Sequence, residues 1–310
     1  MQGKNRTTTV RLDSSITGPE SIPIVTSSYQ LVSQRIQQVR ELFVARRVKF
    51  HRDSALAKMF RTADKLAKAV SEGNRSAPIK DVLAIAHANS IAEAILEVQF
   101  DAQAQLCLKR IAGDDMDLSQ RNQSMGKDYF WELACLQLLR KYHFSATLNE
   151  PDIVMDLDGL SYPVACKKIY SENGVGAQLK KGCEQLNKHG FGGLIAVNID
   201  DLLPANFWLA NQNHEEAFRS LGDFNQQFIE NHRAVLRRYV APGRADGVLV
   251  VASGVATKGT PTSQTMTIVS NIWPENNPHA DSRGGFARLL SKLKPASEVQ
   301  GAESERRSSY

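Results

Sequence analysis

The 310-residue chain has four cysteines, Cys107, Cys135, Cys166 and Cys183, and none of them forms a Cys-x-x-Cys pair. That scatter excludes the common zinc spacings and gives no disulfide framework, so each is expected to be a reduced, buried small hydrophobe. No apolar run approaches the roughly 18 residues that a membrane span needs. Residues 1–30 also lack the basic-then-apolar order of a secretory leader. A cytoplasmic protein with no membrane partner is the expectation. Nor is there a P-loop, because Lys258-Gly259-Thr260 has no upstream glycine at the required distance, or a Gly-x-Ser-x-Gly elbow. His214-Glu215-Glu216 is not followed by a second histidine at metalloprotease spacing and reads as a polar helix start. Gly190-Phe191-Gly192-Gly193 precedes an apolar strand instead of following one, and so reads as a turn and not as a dinucleotide fingerprint. Neither sign of charge dominates. The 38 basic and 33 acidic residues leave a net charge of +5, compatible with a polyanionic partner without requiring one.

What remains is an ordinary globular composition, 42% hydrophobic and 23% charged, in a chain long enough for one large domain or two of average size. Residues 1–26 are rich in Ser, Thr and Gly without a period, and read as a flexible arm with one short strand. A helical domain is expected over 27–112. Leu31/Val32, Ile36, Val39 and Phe43 recur at helical spacing, as do Leu56, Met59/Phe60, Ala63, Leu66/Ala67 and Val70, and Pro78 opens a longer helix that runs toward Gly113. Along the first two helices lies a basic stretch that includes Arg46 and Arg47, a solvated face or a set of phosphate contacts. The polar segment 113–126 reads as a linker. From 127 to 294 helices and strands alternate, the signature of an α/β core, and the polar tail 295–310 reads as disordered.

The informative segment is Pro151-Asp152-Ile153-Val154-Met155-Asp156-Leu157-Asp158-Gly159, followed by Leu160 to Lys168. Two β-type runs flank Asp-Gly, a strong hairpin signal because both residues tolerate positive φ. With Asp158 and Gly159 as the turn, cross-strand partners sum to 317, so Asp152 lies opposite position 165. Period-two alternation then puts Lys167 on the same face. On the preceding helix, Glu132 shares the apolar stripe of Cys135, Leu136 and Leu139, where an uncompensated carboxylate is costly.

The order helix-with-Glu, strand, Pro-Asp, hairpin, Ala165-Cys166-Lys167-Lys168 resembles the PD-(D/E)XK nuclease superfamily over about 127–197. The resemblance implies a restriction-endonuclease-like mixed sheet flanked by helices, with the N-terminal helices as an added all-α domain. It implies a Mg²⁺-dependent nuclease, with Mn²⁺ as a substitute metal, that cuts DNA in preference to RNA and internally in preference to from ends. By the same resemblance Asp152 and Glu132 are catalytic metal ligands together with the Cys166 backbone carbonyl, and Lys167 is the catalytic lysine. Lys168, Gln178 and Lys181, with Arg46 and Arg47, become nucleic-acid contacts, and Gln185 lies on the helix beside the site. A chain of this build is similar to the effector nucleases of bacterial defence systems, which implies an ATPase or helicase partner or a homodimer. The departure is Ala165, where the family has an acid and a methyl group supplies no ligand. Retention of the other three members is the pattern of a Glu→Ala change that silences an enzyme. The alternatives are a second carboxylate migrated to Glu172 or Glu184, or a catalytically inactive nuclease fold that binds nucleic acid or a partner subunit.

Overall fold

The computed structural model describes residues 10–13, 29–73, 77–190, 192–204, 207–210, 214–240, 243–257, 264–274 and 284–293. The polar tail 295–310 and most of the arm expected over 1–26 lie outside them. After a short strand, β1 (Val10–Asp13), come four helices: α1 (Tyr29–Ala45), α2 (Ala55–Ser71), α3 (Ile79–Glu97) and α4 (Gln105–Gly113). Their buried stripes follow the predicted spacing, Val32, Ile36, Val39 and Phe43 on α1 and Leu56, Met59, Phe60, Ala63, Leu66 and Ala67 on α2, while Leu31 and Val70 are only half-buried at the stripe edges. Ser54 caps α2, its side chain accepting from the Ala57 N–H at 3.2 Å. The helix expected to run unbroken from Pro78 to Gly113 is instead two. Asp101 restarts the chain by accepting from the Gln103 N–H at 2.8 Å, which leaves Phe100 at the break 91% exposed.

Next come α5 (Met125–Lys141), the strands β2 (Ser145–Asn149), β3 (Asp152–Leu157) and β4 (Leu160–Lys168), then α6 (Val175–Lys188) and β5 (Leu194–Asn198). After β6 (Leu209–Ala210), the helices α7 (His214–Asn231) and α8 (Arg233–Val240) lead into β7 (Gly247–Thr257), β8 (Gln264–Pro274) and α9 (Gly285–Leu293). The short strand expected in the arm is β1 (Val10–Asp13), paired with β8. All eight strands form one mixed sheet in the order β1-β8-β7-β5-β4-β3-β2, with β6 beside β7. The chain is thus α/β, with β4, β5 and β7 parallel at its centre and antiparallel strands to either side. β7 and β8 run for 11 residues each. Gly254 lies inside β7, where a side chain would press on Leu209 and Phe207, so the Gly/Thr run there is strand up to Thr257.

The sheet is covered on both faces. One core joins Tyr162, Val164 and Cys166 of β4 to α5, α9 and α1–α4 without a break, while a second holds Ala165, Ile195 and Val197 against α6, α7 and α8. The N-terminal helices therefore share their core with the sheet. The segment 113–126, expected as a linker, is pinned between them: Met116 is fully buried and Ser124 Oγ donates to the Asp115 carbonyl at 2.6 Å. At the far end of β4, Gly193 has φ +123° and a Cβ there would sit 2.7 Å from the Pro163 carbonyl oxygen, which accounts for the glycine run as a turn.

Candidate functional site

The β3–β4 hairpin has the register read from the sequence. Ile153 pairs with Val164 and Leu157 with Leu160 across a turn in which Asp158 and Gly159 have φ +57° and +82°. Period-two alternation then sends odd-numbered positions of β4 to the α6 side, and Ala165 is found there, fully buried in the second core. Asp152 begins β3 at the end of the hairpin. Its Oδ2 accepts from the Cys166 backbone N–H at 2.7 Å and from Lys167 Nζ at 3.2 Å. Lys167 Nζ also donates to the Cys166 carbonyl at 2.5 Å. From α6, Gln185 Nε2 approaches Asp152 Oδ1 at 3.4 Å, while the Oε1 of the same amide is buried without a donor. The Lys167 and Asp152 side chains are 12% and 10% exposed, so the pair is shielded but not sealed.

α5 brings Glu132 to this cluster. Cys107 of α4 points its thiol at Glu132 Oε2 from 3.9 Å. Burial, reinforced by the charge of Asp152, pushes the Glu132 carboxyl up to about 8, so it carries its proton at neutral pH. Asp152 is raised as well, by burial above all, with Lys167 and the Cys166 N–H acting the other way. Burial and then Glu132 push the Cys107 thiol up to about 12. Two acids with a single lysine between them are short of positive charge, and the proton held by Glu132 is the compensation.

One turn before Glu132 on α5 stands Asp128, which sequence reading missed. It accepts from the Tyr170 hydroxyl at 2.8 Å, and burial raises it against the opposing charges of Lys168, Lys167 and Lys181. The signal for it was the i, i+4 relation to Glu132, which puts both acids on one stripe.

The other predicted contacts divide. Gln178 is part-exposed and Lys181 exposed on α6, and together with Gln185 they repeat at three and four residues along one helix face. Lys168 does not belong with them. It lies on the opposite face of β4 from Lys167, its side chain 6% exposed, paired with Asp201 at 2.5 Å and donating to Asn198 Oδ1 at 2.7 Å, so it is a buried structural cation and not a surface phosphate contact. Arg46 donates to the Gln99 carbonyl at 2.6 Å and thereby ties α1 to the end of α3, whereas Arg47 is exposed. Elsewhere in the basic stretch, Arg35 holds Glu93 of α3 and Arg40 holds Asp64 of α2 at 2.6 Å. Part of that stretch is therefore the glue between helices. Glu172 is hydrogen-bonded to His232, and Glu184 is exposed and faces Lys180 at 3.8 Å, so neither replaces the acid missing at 165.

As it stands the cluster does not fit Mg²⁺. Its oxygen donors are Asp152, already bonded to an ammonium and two N–H groups, the Cys166 carbonyl, bonded to the same ammonium, and the buried Glu132 carboxyl. Among the described residues no group of three or more His, Cys, Asp or Glu side chains is placed to hold a metal ion. No helix among them is long and apolar enough to cross a membrane. No family model matches the chain, and no curated protein or solved structure matches it either.

Proposed function

We propose that this chain is a nuclease of PD-(D/E)XK type, built to hydrolyse phosphodiester bonds of DNA and held silent by Ala165. The observation that carries this reading is the Asp152–Lys167 pair at the end of one hairpin, with position 165 on the same face and Glu132 arriving from α5. Restored to a carboxylate, position 165 completes an oxygen-rich set of the kind that hard cations such as Mg²⁺ or Mn²⁺ take. In the present chain Lys167 stands in for that cation as the counter-ion of Asp152. Gln185 fixes the carboxylate from the other side, and Gln178 and Lys181 extend the polar face along α6, where a phosphate backbone would run.

A second reading, a nuclease fold that binds DNA or a partner subunit without cutting, is favoured by one observation. Ala165 is packed as core, fully buried in the apolar layer under α6.

Titration calorimetry with Mg²⁺ and Mn²⁺ separates the two. The account expects no metal uptake by the parent chain and saturable uptake by Ala165→Glu, lost again in Ala165→Glu/Asp152→Asn. A folded Ala165→Glu chain that takes up neither metal contradicts the nuclease reading and leaves the binding protein.

A further inference from the structure

On the opposite face of β4 from Lys167 there is a second concavity, where the C-terminal ends of the parallel strands β4, β5 and β7 meet α3 and α5. It is a cavity of about 110 Å³, and none of Asp152, Lys167, Glu132 or Gln185 lines it. Crevices at this end of parallel strands are the usual place for ligands in open α/β sheets.

Its charged groups are all committed to the protein. Lys168 is paired with Asp201 and Asn198. Lys127, 1% exposed, donates to the Gln120 and Asn122 carbonyls and to Asn122 Oδ1 at 2.8–3.2 Å. Arg121 donates to the Asp201 carbonyl at 2.6 Å. Asp200 accepts from the Ser253 N–H and hydroxyl and from Asn198 Nδ2, at 2.6–2.8 Å. No lining charge is left over for a charged ligand. Much of the wall is apolar and aromatic, with Phe130 and Trp131 of α5 facing Leu203 and Phe207, and Trp131 is locked in place by its Nε1–H on the Ala196 carbonyl at 3.2 Å.

Among the described residues, two polar side chains that line the cavity, His87 and Ser90 of α3, make no hydrogen bond. Burial, acting against the charge of Asp200, lowers the pKa of His87, so the ring is neutral and offers one donor and one acceptor. Sites for small molecules have this character, an apolar concavity with a few placed polar groups. An apolar cavity of about 150 Å³ takes one benzene ring; the 110 Å³ here is smaller, so it leaves room for no more than a single ring.

From these features we infer that the cavity is a binding site for an uncharged, single-ring aromatic molecule, held between Phe130, Trp131 and Phe207 and hydrogen-bonded by His87. α5 lines this cavity with Lys127, Trp131, Ala134 and Leu138 and presents Glu132 to the hairpin cluster, so the two sites share a helix while using different stripes of it.

Ligand-observed NMR on the full chain tests the inference, with phenol and nicotinamide as neutral probes and benzoate and benzylamine as charged counterparts of similar size. The expected result is saturable binding of at least one neutral probe with a Kd below about 1 mM, at least tenfold tighter than either charged probe. Ala134→Phe, which fills the cavity, is expected to abolish it. His87→Phe, which keeps a ring but removes the nitrogens, is expected to weaken it by tenfold or more. If Ala134→Phe fails to fold, Ser90→Leu serves as the filling variant. Absence of saturable binding by either neutral probe overturns the inference, as does a preference for a charged probe or binding unchanged in the folded filling variant.

Discussion

The behaviour of the hairpin cluster turns on single ionisable groups. Lys167 is the counter-ion of Asp152 in a setting where both side chains are about one-tenth exposed. Removing one partner of such a pair leaves the other buried and uncompensated. After allowance for the remaining solvent, Lys167→Ala is expected to cost about 2 kcal/mol in urea denaturation at pH 7, and Lys167→Ala/Asp152→Asn to recover part of that. Equal stability of the double variant and Lys167→Ala would show that the pair is not coupled. Glu132 gives a pH signature. Its carboxyl is held up at about 8 in the folded chain against an ordinary 4.5, so the folded state keeps a proton that the unfolded state releases. Its contribution is present in full below the ordinary value and is lost as the pH rises through the folded one. Glu132→Gln, which mimics the protonated form, should therefore match the parent near pH 4 and exceed it in stability by a growing margin toward about pH 8.5. A gain largest in acid would have the wrong sign. At Ala165, a fully buried position in an apolar layer, a glutamate without a metal is a buried third acid. Ala165→Glu is expected to melt below the parent in EDTA and to regain stability in Mg²⁺, by about 2.7 kcal/mol at a metal concentration 100-fold above Kd.

Among the elements, the β3–β4 hairpin positions the cluster, and two glycines hold it in different ways. Gly159 has φ +82° but open space around it, so Gly159→Ala is expected to cost about 1 kcal/mol from backbone conformation alone. Gly193 has both φ +123° and the Pro163 carbonyl 2.7 Å from where a Cβ would be, so Gly193→Ala should cost more than about 2 kcal/mol. Thermal or urea denaturation ranks the two, and equal costs would remove the contact argument. The hairpin was legible in the sequence because Asp158-Gly159 fixes the turn and a period of two fixes the faces. From those two rules alone came the 317 register and the joining of Asp152 with Lys167. Lys168 shows their limit. Alternation says that it faces the other way, but what covers that face comes from α3, α5 and the segment around Asp201, far away in sequence, and so its burial was not legible. The break at Phe100 was missed because the apolar period carries on across it, while Asp101 stops the helix with a local side-chain bond that competes with the backbone pattern.

For the molecule as a whole, the helices and the sheet are one body sharing a core, with a polar cluster on one side of β4 and a cavity on the other. The α/β class and the buried stripes of α1 and α2 followed from period and composition. The shared core and the cavity did not, because their residues are drawn from separated segments that only the packed fold brings together. Nuclease architecture silenced by one missing acid is the claim on which the functional reading rests. Its most direct test is cleavage of supercoiled plasmid and of single-stranded DNA in Mg²⁺ and in Mn²⁺ by three chains: the parent, Ala165→Glu, and Ala165→Glu/Lys167→Ala. The account predicts cutting by Ala165→Glu, none by the parent, and a rate lower by at least about 100-fold in the double variant. Intact DNA with a folded, metal-loaded Ala165→Glu chain, or equal cutting with and without Lys167, would contradict it.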